Sequence, residues 1–258
     1  MAHTGLLSNT SGDGACAVAD LPFVENDPKD IRRSVAFYGA VQLKTPISNV
    51  EEFLALLRQL GPLMFTDGEA PVEGFEDLNI VSNVGRATPP KSVFHSDTSY
   101  VKQPPSYSAL LGVRVPQSGG ATLFTDQYAA AETLPKDLRE DLRGAQVLHG
   151  ATGVNDDTET WQPLFRLHPE TKRFALYLSS LGRMKRLRLK NTMDASHLLG
   201  KLYQHSTQDH LTYRHQWSEG DVVIWDNRCT LHAADHSDVV GDRVLYRGLV
   251  RGEVPLWR

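Results

Sequence analysis

The sequence predicts a mainly β protein with an antiparallel core and flanking helices. Three observations carry this: many short apolar runs bounded by Gly, Pro, Asn and Asp, few stretches with helical spacing, and no internal repeat or low-complexity tract. In chain order, residues 30–36 suit a short helix and 39–44 alternate as a strand does. Ser48-Asn49 introduces a helix at 50–60, with apolar residues at 50, 53, 54, 56, 57 and 60 on one face, and Gly61-Pro62 ends it. Residues 61–92 are rich in Gly, Pro, Asp and Glu and read as loop with one strand at 78–82. The apolar run 107–115 suits a buried strand, and Gln117-Ser-Gly-Gly120 turns the chain into a strand at 121–125. Residues 127–134, 136–143 and 196–208 have helical spacing, while 174–178, 221–225 and 243–250 read as strands.

Composition narrows the partners. The chain has 258 residues, 40% apolar and 22% charged, with 27 basic against 31 acidic residues and a net charge of −4. That balance argues against a broad nucleic-acid surface. No run approaches the roughly 20 apolar residues of a membrane span, and the first 20 residues do not read as a secretory signal. Two cysteines, Cys16 and Cys229, make neither a disulfide framework nor a thiolate zinc site. The expectation is a cytoplasmic protein with a flexible arm at 1–20 and one domain at 21–258, without nucleic-acid or membrane partners and open to homo-oligomerisation.

Three motifs could carry chemistry. In Phe94-His95-Ser96-Asp97-Thr98, extended chain would aim His95 and Asp97 at one point; alone, such a tripeptide is commonly surface polarity. Far downstream an apolar strand runs into Asp226-Asn227-Arg228 and then His232. Should the sheet bring His232 beside His95 and Asp97, two imidazoles and one carboxylate would form a facial site with open positions, suited to Fe(II). A histidine hydrogen-bonded in a loop is the plainer alternative. Arg243 and Arg247, four apart in a strand, share a face, and guanidinium groups in a β core need anions to meet them. Solvated arginines on an edge strand are the alternative there.

Together the motifs His-Ser-Asp, Gly-Gly-x-Thr-Leu-Phe, Gly-Asp-x-x-x-Trp-Asp-Asn-Arg-x-x-x-His and the paired arginines resemble the taurine dioxygenase and 2,4-dichlorophenoxyacetate dioxygenase family. The likeness extends over most of the chain from about residue 30. It implies a double-stranded β-helix (a jelly-roll, cupin-like core) and an oxygenase using Fe(II), 2-oxoglutarate and O₂. By the same resemblance His95, Asp97 and His232 are the iron ligands. Thr122, 27 residues after His95, and Arg243, 11 after His232, bind the 2-oxoglutarate carboxylate, and Arg247, 15 after His232, grips an anionic substrate group. Trp225, Asp226 and Asn227 would shape the turn before His232.

The expected reaction is hydroxylation of an unactivated C–H bond in a small molecule bearing a carboxylate or other anionic group, with release of succinate and CO₂. Asp97 favours oxygenation over halogenation, because halogenases vacate that carboxylate position. The stretch 64–71 lacks the histidine and tyrosine with which taurine dioxygenase reads taurine, so taurine is a poor expectation. Lys91, four before His95, is a further candidate for an anionic substrate group, against the plainer reading of a solvated lysine. Glu159, Trp161 and the basic run 183–188 would line the entrance or form a solvated surface strand. A zinc hydrolase or a non-catalytic sensor on the same barrel are the competing classes; the first leaves Thr122 and both arginines without a task, and the second would be expected to have lost one of the three ligands.

Overall fold

The computed structural model describes residues 20–66, 69–85, 92–152 and 157–257. The expected arm apart from Asp20, with Cys16, and the candidate Lys91 lie outside the described residues. The first half forms β1 (Phe23–Val24), α1 (Pro28–Tyr38), β2 (Ala40–Leu43), α2 (Val50–Leu60), β3 (Leu63–Met64), β4 (Pro71–Val72), β5 (Phe75–Ser82), β6 (Pro105–Arg114) and β7 (Thr122–Asp126). There follow α3 (Gln127–Glu132), α4 (Lys136–Asp141), β8 (Gln146–Gly150), β9 (Glu159–Pro163), β10 (Phe165–Leu167), β11 (Phe174–Leu176) and β12 (Met184–Arg188). The chain ends with α5 (Leu199–Ser206), β13 (Thr212–His215), β14 (Val222–Asp226), β15 (Thr230–Ala234) and β16 (Val244–Arg251).

The large sheet has the order β1-β2-β14-β6-β16-β5-β4, with β3 added beside β16. Strand β6 is hydrogen-bonded on both edges, to β14 and β16, and eight of its consecutive residues are buried, which accounts for the apolar run in the sequence. A second sheet, β13-β7-β15, faces the first: Leu110, Val223, Trp225 and Leu245 pack against Phe124 and Tyr213. The smaller sheet β12-β8-β9 and the β10-β11 hairpin complete the β structure among the described residues. This is the jelly-roll expected from the motifs.

Helices α1 and α2 cover the outer face of the large sheet. The α2 start is set by Asn49, whose side chain accepts the Glu52 N–H at 2.8 Å while its amide reaches back to the Glu52 carboxylate. Phe53 and Leu57 then pack on Leu78, Ala109, Leu111, Val222 and Ile224. Gly248 of β16 lets the helix sit this close, because a Cβ there would collide with the Leu57 side chain. Helix α1 begins earlier than its apolar spacing indicates, because Asp27 caps it and Pro28 fits its first turn. The helix expected at 196–208 is a 3₁₀ turn, Ser196–Leu198, followed by α5: the Ser196 hydroxyl bonds Asp194 and the Leu187 N–H, which tightens the entry. None of the described helices is long and apolar enough to cross a membrane.

Candidate metal centre and cosubstrate pocket

His95 and His232 meet through an antiparallel bridge in which each backbone N–H donates to the other's carbonyl at 2.9 Å. Directly opposed residues share a face of the sheet, and their rings lie 4.2 Å apart between centroids. Asp97 begins a turn two residues after His95, and Thr98 behind it takes a left-handed φ of 44°. The Asp97 carboxylate oxygens lie 3.7 Å from His95 Nε2 and 3.8 Å from His232 Nε2. One ligand atom from each residue falls within 4.8 Å of the other two.

The protonation of the three groups suits a cation. His95 Nδ1 lies 2.9 Å from the Val93 carbonyl and can donate to it, which leaves the Nε2 lone pair facing the cluster. Burial lowers the pKa of both imidazoles, that of His232 to about 3, so both are neutral at physiological pH. Burial would raise the Asp97 pKa, but attraction to His232 and His95, which protonate only in acid, to the Arg247 guanidinium, and the Ser108 hydrogen bond outweigh it and hold the carboxyl below its ordinary range. Two neutral imidazoles and an ionised carboxylate, converging from one side, are the donor set of a facial Fe(II) site.

Asp97 is itself held. Ser108, facing inward from β6, donates to Oδ2 at 2.7 Å and accepts from Asn227 Nδ2 at 2.7 Å. Asn227 Oδ1 accepts from the Trp225 indole at 3.2 Å and from the Asp97 backbone at 3.3 Å. The sequence pattern points to Trp225 and Asn227 as turn residues; in the structure they also hold the Asp97 carboxylate indirectly, through Ser108. A serine on an inward position of an apolar strand was the available signal.

Below the turn, Arg228 grips Asp226 with two bonds of 2.8 and 2.6 Å and donates to Tyr107 at 3.0 Å. His168 Nδ1 accepts two backbone N–H groups, from Glu170 and Thr171, so Nε2–H donates to Asp226 Oδ2 at 3.1 Å. This buried network braces the segment that leads into His232.

Arg243 and Thr122 meet in the second half of the site. Thr122 lies on the same face of β7 as Phe124, which stands opposite His232 in the β7–β15 register. Arg243 Nη2 donates to the Thr122 hydroxyl at 3.1 Å and Nε to the Gly120 carbonyl at 2.7 Å. The Trp217 indole also donates to Thr122, at 3.0 Å. With its oxygen accepting twice, the Thr122 hydroxyl has its own hydrogen left for an anion. Gly120 has φ +73°, and a Cβ there would crowd the Arg243 side chain at 3.1 Å, so glycine is required for this approach. Arg243 is 1% exposed, no carboxylate among the described residues pairs with it, and burial lowers its pKa to about 10. A buried guanidinium without a counter-charge is costly, and a bound carboxylate would answer it.

Arg247 differs. Its Nη1 lies 3.3 Å from Asp97 Oδ1 and its Nη2 lies 3.4 Å from Glu69. Arg183 donates to the Ser96 carbonyl at 3.0 Å, lies over the Tyr100 ring, and pairs with no carboxylate among the described residues. The remainder of the basic run is a strand, as one reading had it, and Arg188 stacks on Trp161 at 3.9 Å. Neither Glu69 nor the position of Arg183 was legible beforehand, since both depend on how loops fold onto the barrel.

The fold and this donor set define the class of non-haem iron dioxygenases that consume 2-oxoglutarate. A profile of the family described as taurine catabolism dioxygenase TauD, TfdA matches residues 13–249, and the chain belongs to that family. It is 34% identical to an alpha-ketoglutarate-dependent 2,4-dichlorophenoxyacetate dioxygenase of Burkholderia sp., over 96% of this chain and 91% of that protein. It is 28% identical to the (S)-phenoxypropionate/alpha-ketoglutarate-dioxygenase of Sphingobium herbicidovorans, over 79% of this chain and 78% of the other. The crystal structure of a taurine dioxygenase from Burkholderia xenovorans superposes with a TM-score of 0.79 at 28% identity, covering 93% of this chain and 89% of that one. The chain is thus an Fe(II)- and 2-oxoglutarate-dependent dioxygenase.

Proposed function

We propose that His95, Asp97 and His232 hold the iron, that Arg243 and Thr122 hold the far carboxylate of 2-oxoglutarate, and that Arg247 meets the anionic group of a small organic acid. The reaction is hydroxylation of a C–H bond in that acid. The observation that carries this reading is Arg243: a fully buried guanidinium, hydrogen-bonded to Thr122, with no carboxylate partner among the described residues. A hydrolytic zinc site would have no use for it.

When bound, iron with 2-oxoglutarate and O₂ supplies the oxidising power that breaks the C–H bond, and succinate and CO₂ leave. The chain's own residues supply geometry. Val93 fixes the His95 ring, and Ser108 and Asn227 fix one carboxylate oxygen of Asp97. Arg243 offers a planar cation and Thr122 a hydroxyl donor, a pairing matched to a carboxylate. Trp225 and Leu245 wall the barrel with apolar surface and keep the interior dry. The relatives named for 2,4-dichlorophenoxyacetate and (S)-phenoxypropionate support an acid as substrate.

Two measurements test the proposal. Anaerobic addition of Fe(II) and 2-oxoglutarate should produce a metal-to-ligand absorption band that His95→Ala abolishes. Aerobic incubation with aryloxy acids should release succinate in a manner that requires Fe(II), 2-oxoglutarate and O₂. Absence of the band, or succinate release that survives a chelator, rejects the assignment.

A further inference from the structure

The two carboxylates on Arg247 differ in their freedom to leave it. The Asp97 side chain is 5% exposed and also held by Ser108. The Glu69 side chain is 38% exposed and reaches Arg247 with one oxygen at 3.4 Å, a long contact of the kind that contributes little. Three polar atoms beside it are unmet. Arg247 Nε is buried without a hydrogen-bond partner, as are both polar atoms of the Asn79 amide. Asn79 is fully buried in β5 and stands directly opposite Arg247 in the β5–β16 register. Opposed residues project to the same face, so the amide stands beside the guanidinium on the barrel's inner side. Buried polar groups are rarely left without partners. The subsite is therefore under-filled with Glu69 in place.

We propose that Glu69 is an internal stand-in for the substrate anion, occupying Arg247 until a small organic acid displaces it into water. The incoming carboxylate takes the Nε/Nη2 edge of Arg247 with two oxygens, where Glu69 uses one, and Asn79 adds a hydrogen bond. Bidentate pairing of this kind is stronger and more directional than the long single contact it replaces. A neutral ligand leaves Glu69 where it is, so Glu69 sets the discrimination between an acid and its uncharged analogue. This inference rests on the reading of Arg247 as the substrate-anion site.

The test uses the full chain loaded anaerobically with Fe(II) and 2-oxoglutarate, titrated calorimetrically with 2,4-dichlorophenoxyacetate and with its uncharged amide. Glu69→Gln keeps the size of the side chain and removes the competing charge. It should tighten the acid about five-fold and leave the amide unchanged. Equal acid affinity in the two proteins, including none in either, overturns the inference. An equal gain for acid and amide overturns it as well, since that would report only a loosened loop. Arg247→Gln separates this inference from its premise: acid binding that survives that change refutes the Arg247 reading. Acid binding lost in Arg247→Gln but unmoved in Glu69→Gln refutes only the role of Glu69.

Discussion

Two clusters among the described residues contain a histidine and an aspartate with a third possible ligand, each set lying within 4.8 Å, and only one is built for a metal. In His95, Asp97 and His232 both Nε2 atoms face a carboxylate that retains acceptor capacity. In His168, Asp226 and Cys229 everything is committed. Asp226 is consumed by Arg228 and His168, and His168 turns a proton, not a lone pair, toward it. Burial pushes the Cys229 thiol well above its ordinary pKa, so it stays protonated. Residue type and spacing alone do not define a metal site; unspent lone pairs do. The second cluster serves the first by fixing the turn that delivers His232.

Mutations at matched positions should separate the clusters. The largest effect is expected for Asp97→Ala: turnover falls below detection while circular dichroism stays native, because the loss is of a ligand. Asp226→Asn should instead cost about 3 kcal/mol of stability, at the low end for a broken buried pair, because Arg228 then keeps only its longer carboxylate contacts, to Glu170 at 3.3 Å and Glu253 at 3.7 Å; denaturant unfolding measures this. Burial would raise the Asp226 pKa, but Arg228 and His168 outweigh it and hold it below 3.8. A depressed carboxylate contributes stability that is present above its unfolded pKa and lost as pH falls through the folded one. The stability gap between wild type and Asp226→Asn should therefore be constant above about pH 5 and close in stronger acid.

Arg243→Ala should raise the 2-oxoglutarate KM about 10- to 100-fold with metal affinity little changed, the worth of a charged hydrogen-bond pair. Unchanged cosubstrate kinetics would place the far carboxylate elsewhere. Ser108→Ala, which frees one Asp97 oxygen, should weaken Fe(II) binding about 10-fold, at the low end for such supporting residues. The smallest effect is expected for Cys229→Ala: one equivalent of Co(II) still binds, with no thiolate absorption in either protein. A second, thiolate-bearing equivalent in the wild type would end the distinction between the clusters.

The sequence was most informative where one local rule governs an element. The α2 helix is legible from Asn49 to Gly61 because capping and amphipathic spacing agree, and β6 because burial on both faces makes it apolar throughout. His95, Asp97, His232 and the two arginines stand out as an ordered set of motifs, and the structure brings the first three within 4.8 Å of one another. Strand β12 was harder to read, because a bulge between Met184 and Arg186 puts its buried residues, Met184 and Leu187, out of the period of two. Strand β8 carries a buried His149 whose ring meets Ser99 at 2.9 Å, a polar residue where alternation predicts an apolar one. Contacts such as Ser108 with Asp97 and Glu69 with Arg247 join residues that no local rule relates.

The reciprocal bond between His95 and His232 has a consequence for how the molecule is assembled. These residues are separated by 137 positions (232 − 95), so the chain must close a very long loop before the two rings can meet. Such contacts form slowly, and little structure near either residue rewards them until the opposing sheets have docked. An ion seated between the rings would act as a clasp on that closure, tightening the native state in proportion to the logarithm of its free concentration. Iron supply would then govern how long the enzyme lasts as well as how fast it works.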